Sequence, residues 1–206
     1  MYIKFVKRFF DITLSMLGII VLFPLFVIIT IAILIDDFGP VFFKQDRIGI
    51  NKSHFNILKF RTMKVNTPHD IPTHLLKNPE QYITKIGRLL RKTSLDELPQ
   101  LFNILRGDMT IIGPRPALWN QVDLIEERDK YNANSVKPGL AGWAQINGRD
   151  ELEIEEKARL DGEYVEKQSL LFDCRCFFCT IICAINRKGF IEGGTGALKK
   201  EEEKVD

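Results

Sequence analysis

The chain has 206 residues, 29 Lys/Arg against 27 Asp/Glu, a formal net charge of +2 and 45% hydrophobic residues. That balance gives no support for nucleic-acid binding. Its four cysteines, Cys174, Cys176, Cys179 and Cys183, crowd one short stretch, so no disulfide framework is implied, which fits a reducing compartment. The charge is uneven, with +7 over residues 1–115 and −5 over residues 116–206. A basic first half suits anionic lipid headgroups or phosphate-bearing substrates; an unevenly charged solvated surface reads the same way.

Ile12 to Ile35 contains no charged residue over 24 positions. As a helix it reaches about 36 Å, enough to cross a hydrocarbon core about 30 Å thick. A signal peptide would have a shorter apolar run ending in small residues, whereas this one ends in Ile35-Asp36-Asp37-Phe38-Gly39-Pro40. Pro24 removes a backbone hydrogen bond and predicts a kink, so a bent helix entering and leaving by one face stands beside a simple span. The remaining roughly 170 residues suffice for one compact domain.

Val41 to Ile48 and His54 to Thr62 read as strands around a Gly49–Lys52 turn, with Lys59 and Arg61 two apart and therefore on one face. Thr62 to Gln81 reads as a loop and Tyr82 to Lys92 as a short basic helix. Leu98, Leu101, Phe102 and Leu105 follow helical spacing, with Gly107 as a stop. Because Pro99 fits only a first turn, this helix is predicted to start at about Asp96. Gly113-Pro114-Arg115-Pro116 reads as a rigid extended turn, Ala117 to Tyr131 as helix, Val136 to Arg149 as glycine-rich loop, Glu151 to Glu166 as charged helix and Ser169 to Arg187 as apolar helix. On that last helix Cys176, Cys179 and Cys183 share a face and Cys174 points away, which favours packing over a tetrahedral metal site.

Asp96-Glu97 is the pair most able to carry chemistry. One reading is a helix cap with a dipole-favoured neighbour. The other gives adjacent carboxylates separate tasks: cation ligand or nucleophile for one, proton handling for the other. Arg115, fixed between prolines, is a natural bidentate partner for a diphosphate. With Lys59, Arg61 and Arg88 in the same chain, these residues point to phosphoryl transfer, in which the protein positions groups and neutralises charge.

Five segments taken together resemble the bacterial sugar transferase family, specifically its small monotopic polyprenyl-phosphate phosphoglycosyl transferases. They are Lys7-Arg8-x-x-Asp11 ahead of a Pro-broken apolar segment, Lys59 to Met63, Thr93 to Asn103, Gly107 to Pro116 and Lys137 to Arg149. The resemblance runs from about Phe5 to Phe190. It implies an α+β, mainly helical fold: a re-entrant membrane helix in residues 1–37 and a cytoplasmic-face catalytic domain in 38–191 with a β-hairpin and amphipathic helices at the membrane surface. The Gly-rich, then Lys/Glu-rich tail in 192–206 reads as loose. Pro24 fits the family's bend, although Phe23 stands where the family commonly has Ser.

The implied reaction moves a phosphosugar from a UDP-sugar to undecaprenyl phosphate at the bacterial inner membrane, releasing UMP and initiating a surface polysaccharide or glycan. Asp96 matches the family's nucleophile and Mg²⁺ ligand, and Glu97 its proton-handling partner. Pro114, Arg115 and Pro116 match the Pro-Arg-Pro element near the nucleotide. Lys59, Arg61 and Arg88 match basic positions expected to face phosphates, and Asp161 and Tyr164 match an Asp-x-x-Tyr pattern with no role assigned. A non-catalytic scaffold binding anionic lipids is the alternative from another class. The sugar is not encoded in any motif, and monomer and homo-oligomer fit equally.

Overall fold

A computed structural model describes residues 2–67, 79–148 and 152–186. The centre of the Thr62–Gln81 loop, Arg149 and the tail from Glu192 lie outside the described residues. A π-helical turn, Tyr2–Val6, leads into α1 (Lys7–Asp36), a 30-residue helix whose assignment continues through Pro24. Among the described residues it is the one helix long and apolar enough to cross a membrane.

Strands β1 (Phe42–Ile48) and β2 (His54–Phe60) pair as a two-stranded sheet. Between them Asn51 and Lys52 take left-handed backbone at φ 52° and 61°. Next come α2 (Lys85–Thr93), α3 (Gln100–Arg106), β3 (Thr110–Ile112), α4 (Val122–Asp129), β4 (Gly139–Ala141), α5 (Trp143–Ile146), α6 (Ile154–Lys167) and α7 (Leu170–Asn186). The fold is mainly helical α+β, as expected.

Three local expectations are corrected. First, α3 begins at Gln100 and not at Asp96, because Leu95–Glu97 winds as a 3₁₀ turn. Leu98 N–H donates to Leu95 O and Leu101 N–H to Leu98 O, so three-residue hydrogen bonding carries the chain past Pro99. Second, α4 starts five residues late. Ala117 O accepts from Ile48 N at 3.0 Å and Leu118 bridges Arg47, which keeps the chain extended there. Third, the supposed loop Val136–Arg149 contains β4 and α5, with β4 parallel to β3 and Thr110 opposite Gly139. Gly139 permits that pairing: a Cβ there would lie 2.1 Å from Gly113 N. Where loop composition predicted irregular chain, its glycines permit two backbones to meet.

The chain divides into two compact units, one of residues 1–11, 46–55 and 107–206, the other of 12–45 and 56–106. In the first, Ile48, Ala117, Leu124 and Ala158 form one apolar cluster, and Ile112, Ala141, Tyr164 and Cys176 another. Cys176 is fully buried there and Cys174 is exposed, so the face-sharing pattern separates packing from surface as expected for those two.

Two residues one helical turn apart grip β3 in this unit. Lys7 Nζ donates to Ile112 O at 2.9 Å, while Asp11 accepts from Thr110 Oγ1 at 2.8 and 2.9 Å and from Ile111 N at 2.9 Å. A short strand edge that a further strand would cover is satisfied by side chains instead.

In the second unit Phe26, Ile29 and Ile33, on one face of α1, pack with Phe60 and Leu90. Phe60 stacks on Phe42 with centroids 5.5 Å apart and meets Phe26 at 5.3 Å. The rest of this stretch of α1 leaves Ile20, Val21, Phe23, Ile28, Ile31 and Ile35 exposed, an apolar surface far larger than single scattered residues.

Candidate active site

The acidic pair sits where two left-over pieces of helix meet. α2 ends at Ser94, whose left-handed backbone (φ 57°) turns the chain directly into the Leu95–Glu97 turn. A non-glycine residue in that region costs about 1–2 kcal/mol, and strain of this kind gathers at functional sites. Asp96 is buried and Glu97 half-buried. α3 is assigned from Gln100, so neither residue directly precedes its first turn.

Lys59, near the end of β2, answers their charge. Its Nζ donates to Glu97 Oε1 at 2.8 Å and stands 3.8 Å from Asp96 Oδ2. Side-chain exposures of 18% for Lys59, 12% for Asp96 and 18% for Glu97 show a cluster shielded from bulk water but not sealed. β2 is held in place by Asn103 of α3, fully buried. The Asn103 amide accepts from Leu58 N at 2.9 Å and donates to Asn56 O at 2.8 Å, mimicking a neighbouring strand. So α3 buries Gln100, Asn103 and Ile104, and its predicted apolar stripe of Leu101, Phe102 and Leu105 is only partly covered. Sequence reasoning missed Asn103; the signal was an amide embedded among apolar helix positions.

The other basic residues of this unit have different partners. Arg61 is buried, pairs with Asp37 Oδ2 at 3.2 Å and also donates to Asp37 O, bracing the chain just past α1. The side chain of Arg88 is largely exposed and lies 3.7 Å from Glu80. The structure thus brings Lys59, Asp96 and Glu97 together, with Arg61 and Arg88 engaged elsewhere in the same unit.

Arg115 belongs to the first unit, in the extended turn that follows β3. Its flanking Pro114 and Pro116 are buried and Arg115 is half-buried. Arg128 of α4 donates to Arg115 O at 2.9 Å, and Asp161 of α6 receives Arg128 Nε and Nη2 at 2.8 and 2.5 Å. Burial pushes the Asp161 carboxyl above the ordinary aspartate value, against the pull of Arg128. The hydroxyl of Tyr164, one turn further along α6, lies 2.8 Å from both Ile112 O and Asp173 Oδ1 and shares its one proton between them.

Asp96 and Glu97 are hard oxygen donors, 12% and 18% exposed at their side chains. They fit Mg²⁺, which takes one or two carboxylates and fills its remaining positions with water and substrate phosphate. Lys59 would be the group to shift or share the carboxylates when such an ion is bound.

A partly shielded acid pair with one lysine, on a framework of short helices and a hairpin beside a long apolar helix, defines a candidate transferase centre. The chain belongs to the bacterial sugar transferase family, whose model matches residues 2–187. It is 41% identical over 186 residues to an undecaprenyl-phosphate glucose phosphotransferase of Komagataeibacter xylinus, covering 85% of this chain and 35% of that protein. It is 38% identical to the exopolysaccharide production protein ExoY of Sinorhizobium fredii, covering 85% and 83%. It is also 38% identical to the UDP-glucose:undecaprenyl-phosphate glucose-1-phosphate transferase of Escherichia coli, covering 91% and 41%. The chain therefore spans about a third to two-fifths of the two phosphotransferases and most of ExoY.

Proposed function

We propose that this enzyme transfers a phosphosugar from a UDP-sugar to undecaprenyl phosphate, forming undecaprenyl-diphosphate-sugar and UMP, with Asp96 as the nucleophile. The observation that carries the reading is the Asp96–Glu97–Lys59 cluster: a buried carboxylate beside a second carboxylate and a compensating ammonium. The names of the relatives support the same substrates.

In the first step an Asp96 carboxylate oxygen attacks the β-phosphorus of the donor. The bond from that phosphorus to the bridging oxygen breaks, and UMP leaves with the electron pair. In the second step a phosphate oxygen of undecaprenyl phosphate attacks the same phosphorus, the bond to Asp96 breaks, and the carboxylate is restored. Glu97 takes the proton from the acceptor phosphate when that phosphate arrives protonated. Lys59 offsets the negative charge gathered by two carboxylates and a phosphoryl group, and Arg115 binds donor phosphate oxygens through its planar fork. Mg²⁺, held by Asp96 with Glu97 adjacent, would lower the repulsion between carboxylate and phosphate oxygens. Splitting the transfer lets one site serve a soluble and a lipid substrate in turn.

The apolar surface of α1 supplies the membrane attachment that a lipid acceptor requires. A bend at Pro24 that returns the helix to the cytoplasmic face would keep the chemistry near the headgroup plane, and impermeant labelling of cysteines placed at positions 2 and 40 tests it. Opposite-side labelling would replace the bend with a span.

The decisive test is UMP release with undecaprenyl phosphate, Mg²⁺ and a panel of UDP-glucose, UDP-galactose and their N-acetylated counterparts. Intact-mass measurement without acceptor should show one phosphosugar added to the protein. Asp96→Asn should lose both signals, with turnover falling on the order of 10³-fold or more. Full turnover by Asp96→Asn would eliminate the nucleophile assignment, and lipid binding with no UMP from any donor would favour a scaffold.

A further inference from the structure

The Pro-Arg-Pro turn poses a physical problem that the fold answers in an unusual way. Pro114 and Pro116 have no backbone N–H, so this segment can be held mainly through its carbonyl oxygens. Those oxygens are taken up one after another. Ile112 O accepts from Lys7 Nζ at 2.9 Å and Tyr164 OH at 2.8 Å; Pro114 O accepts from Gly139 N at 2.8 Å. Arg115 O accepts from Arg128 Nη2 at 2.9 Å, and Pro116 O from Arg47 Nη1 at 3.0 Å. Asp161 and Tyr164 lie three positions apart on α6, hence on one face. Tyr164 reaches the carbonyl that precedes the turn, and Asp161 reaches Arg115 O through Arg128.

The Arg128–Asp161 pair is 5% and 1% exposed at its side chains. A buried pair of this kind is a weak source of stability, because desolvating both charges offsets their attraction, and apolar replacements are often neutral. Its distinctive product here is geometric: a guanidinium oriented by one carboxylate so that a further N–H meets one carbonyl. We propose that Asp161 and Tyr164, with Arg128 as intermediary, are positioning residues that fix the backbone on which Arg115 is presented. The inference rests on the reading of Arg115 as a donor-phosphate ligand. Displacing such a ligand by about 1 Å is enough to cost on the order of 10²-fold in rate.

The test replaces the pair with apolar residues, Arg128→Met with Asp161→Leu, in the full chain in nanodiscs. Kinetics use the UDP-sugar turned over fastest in the panel. The expected result is a near-wild-type melting temperature, a roughly 10- to 100-fold lower kcat/KM expressed mainly as a higher donor KM, and no further loss when Arg115→Ala is added. Hydrogen exchange at the Gly113 amide, which donates to Ala141 O, should also quicken. Arg128→Lys, which keeps the charge but loses the fork, should give the same kinetic pattern and serves if the apolar pair does not fold. Unchanged kcat/KM in folded variants, or losses that add to that of Arg115→Ala, would overturn the positioning role. If wild type turns over and Arg115→Ala alone leaves donor KM unchanged, the reading of Arg115 has failed instead. Gly113 exchange then decides separately: faster exchange in the pair variants upholds the backbone clamp, and unchanged exchange overturns it.

Discussion

Lys7 of the first unit and Lys59 of the second are both lysines set among carboxylates, and they are used in opposite ways. The ammonium of Lys7 meets Ile112 O, Tyr164 OH and Asp173, three acceptors for its three protons. Tyr2 OH also donates to Asp173, at 2.5 Å, and burial with the Asp173 charge pushes the Tyr164 phenol far above its ordinary value. Lys59 instead bridges two adjacent carboxylates, close to Glu97 and longer to Asp96. A saturated cation holds a structure together. A cation shared between two acids is left able to exchange partners.

The largest effect should come from breaking the saturated side. Lys7→Met leaves Asp173 buried beside two hydroxyls, and breaking a buried pair costs about 3–5 kcal/mol. Thermal unfolding in nanodiscs measures it, and a loss below about 1 kcal/mol would refute the contrast. Cys176 reports on the same region. Burial and the neighbouring Asp173 charge push its thiol up to about 12, so alkylation at pH 8 should be on the order of 10³-fold slower than at an ordinary thiol. Exposed Cys174 supplies the internal standard, and peptide mass mapping after timed labelling gives the ratio; equal rates would mean that the region is wet.

On the other side, Lys59→Met, whose carboxylate partners stay partly open to water, should cost less stability than Lys7→Met yet lose roughly 10²-fold in UMP release. Loss of folding together with activity would make Lys59 a second Lys7. The smallest expected effect concerns an exposed pair. Lys52, and then Asn134, hold the Asp129 carboxyl below the ordinary aspartate value. A lowered folded value favours the native state above the ordinary aspartate range, and that contribution disappears as pH falls through the lowered value. In Lys52→Met the Asp129 carboxyl, followed by carbon NMR, should titrate nearer the ordinary value, with little change in melting temperature at neutral pH.

Much of the site was legible in the chain because its parts are local. The apolar run, the hairpin, the glycine stop at Gly107 (φ 97°) and the acidic dipeptide each depend on neighbours within a few residues. Lys59, Asp96 and Glu97 were all named from sequence, and the structure places them together. Asn103, Arg128 and the gripping roles of Lys7 and Asp11 were not foreseen. Each acts on backbone atoms or acids distant in sequence, and nothing in helical or strand periodicity marks that use.

The misjudged boundaries have the same origin. Pro99 correctly marked a beginning, but a 3₁₀ turn and an α-helix begin alike in sequence, and which one forms was settled by packing around Leu95 and Leu98. The stretch from Val136 had the composition of a loop, and only pairing with β3 made a strand of Gly139–Ala141. By itself the sequence determined the membrane-compatible helix, the kinds of chemical groups present and their order, because hydropathy and side-chain chemistry are properties of the residues themselves. Only the tertiary structure decided which lysine is saturated and which is shared, and how a turn without amide protons is held. Those outcomes depend on distances between residues far apart in the chain, which close only when the apolar clusters pack.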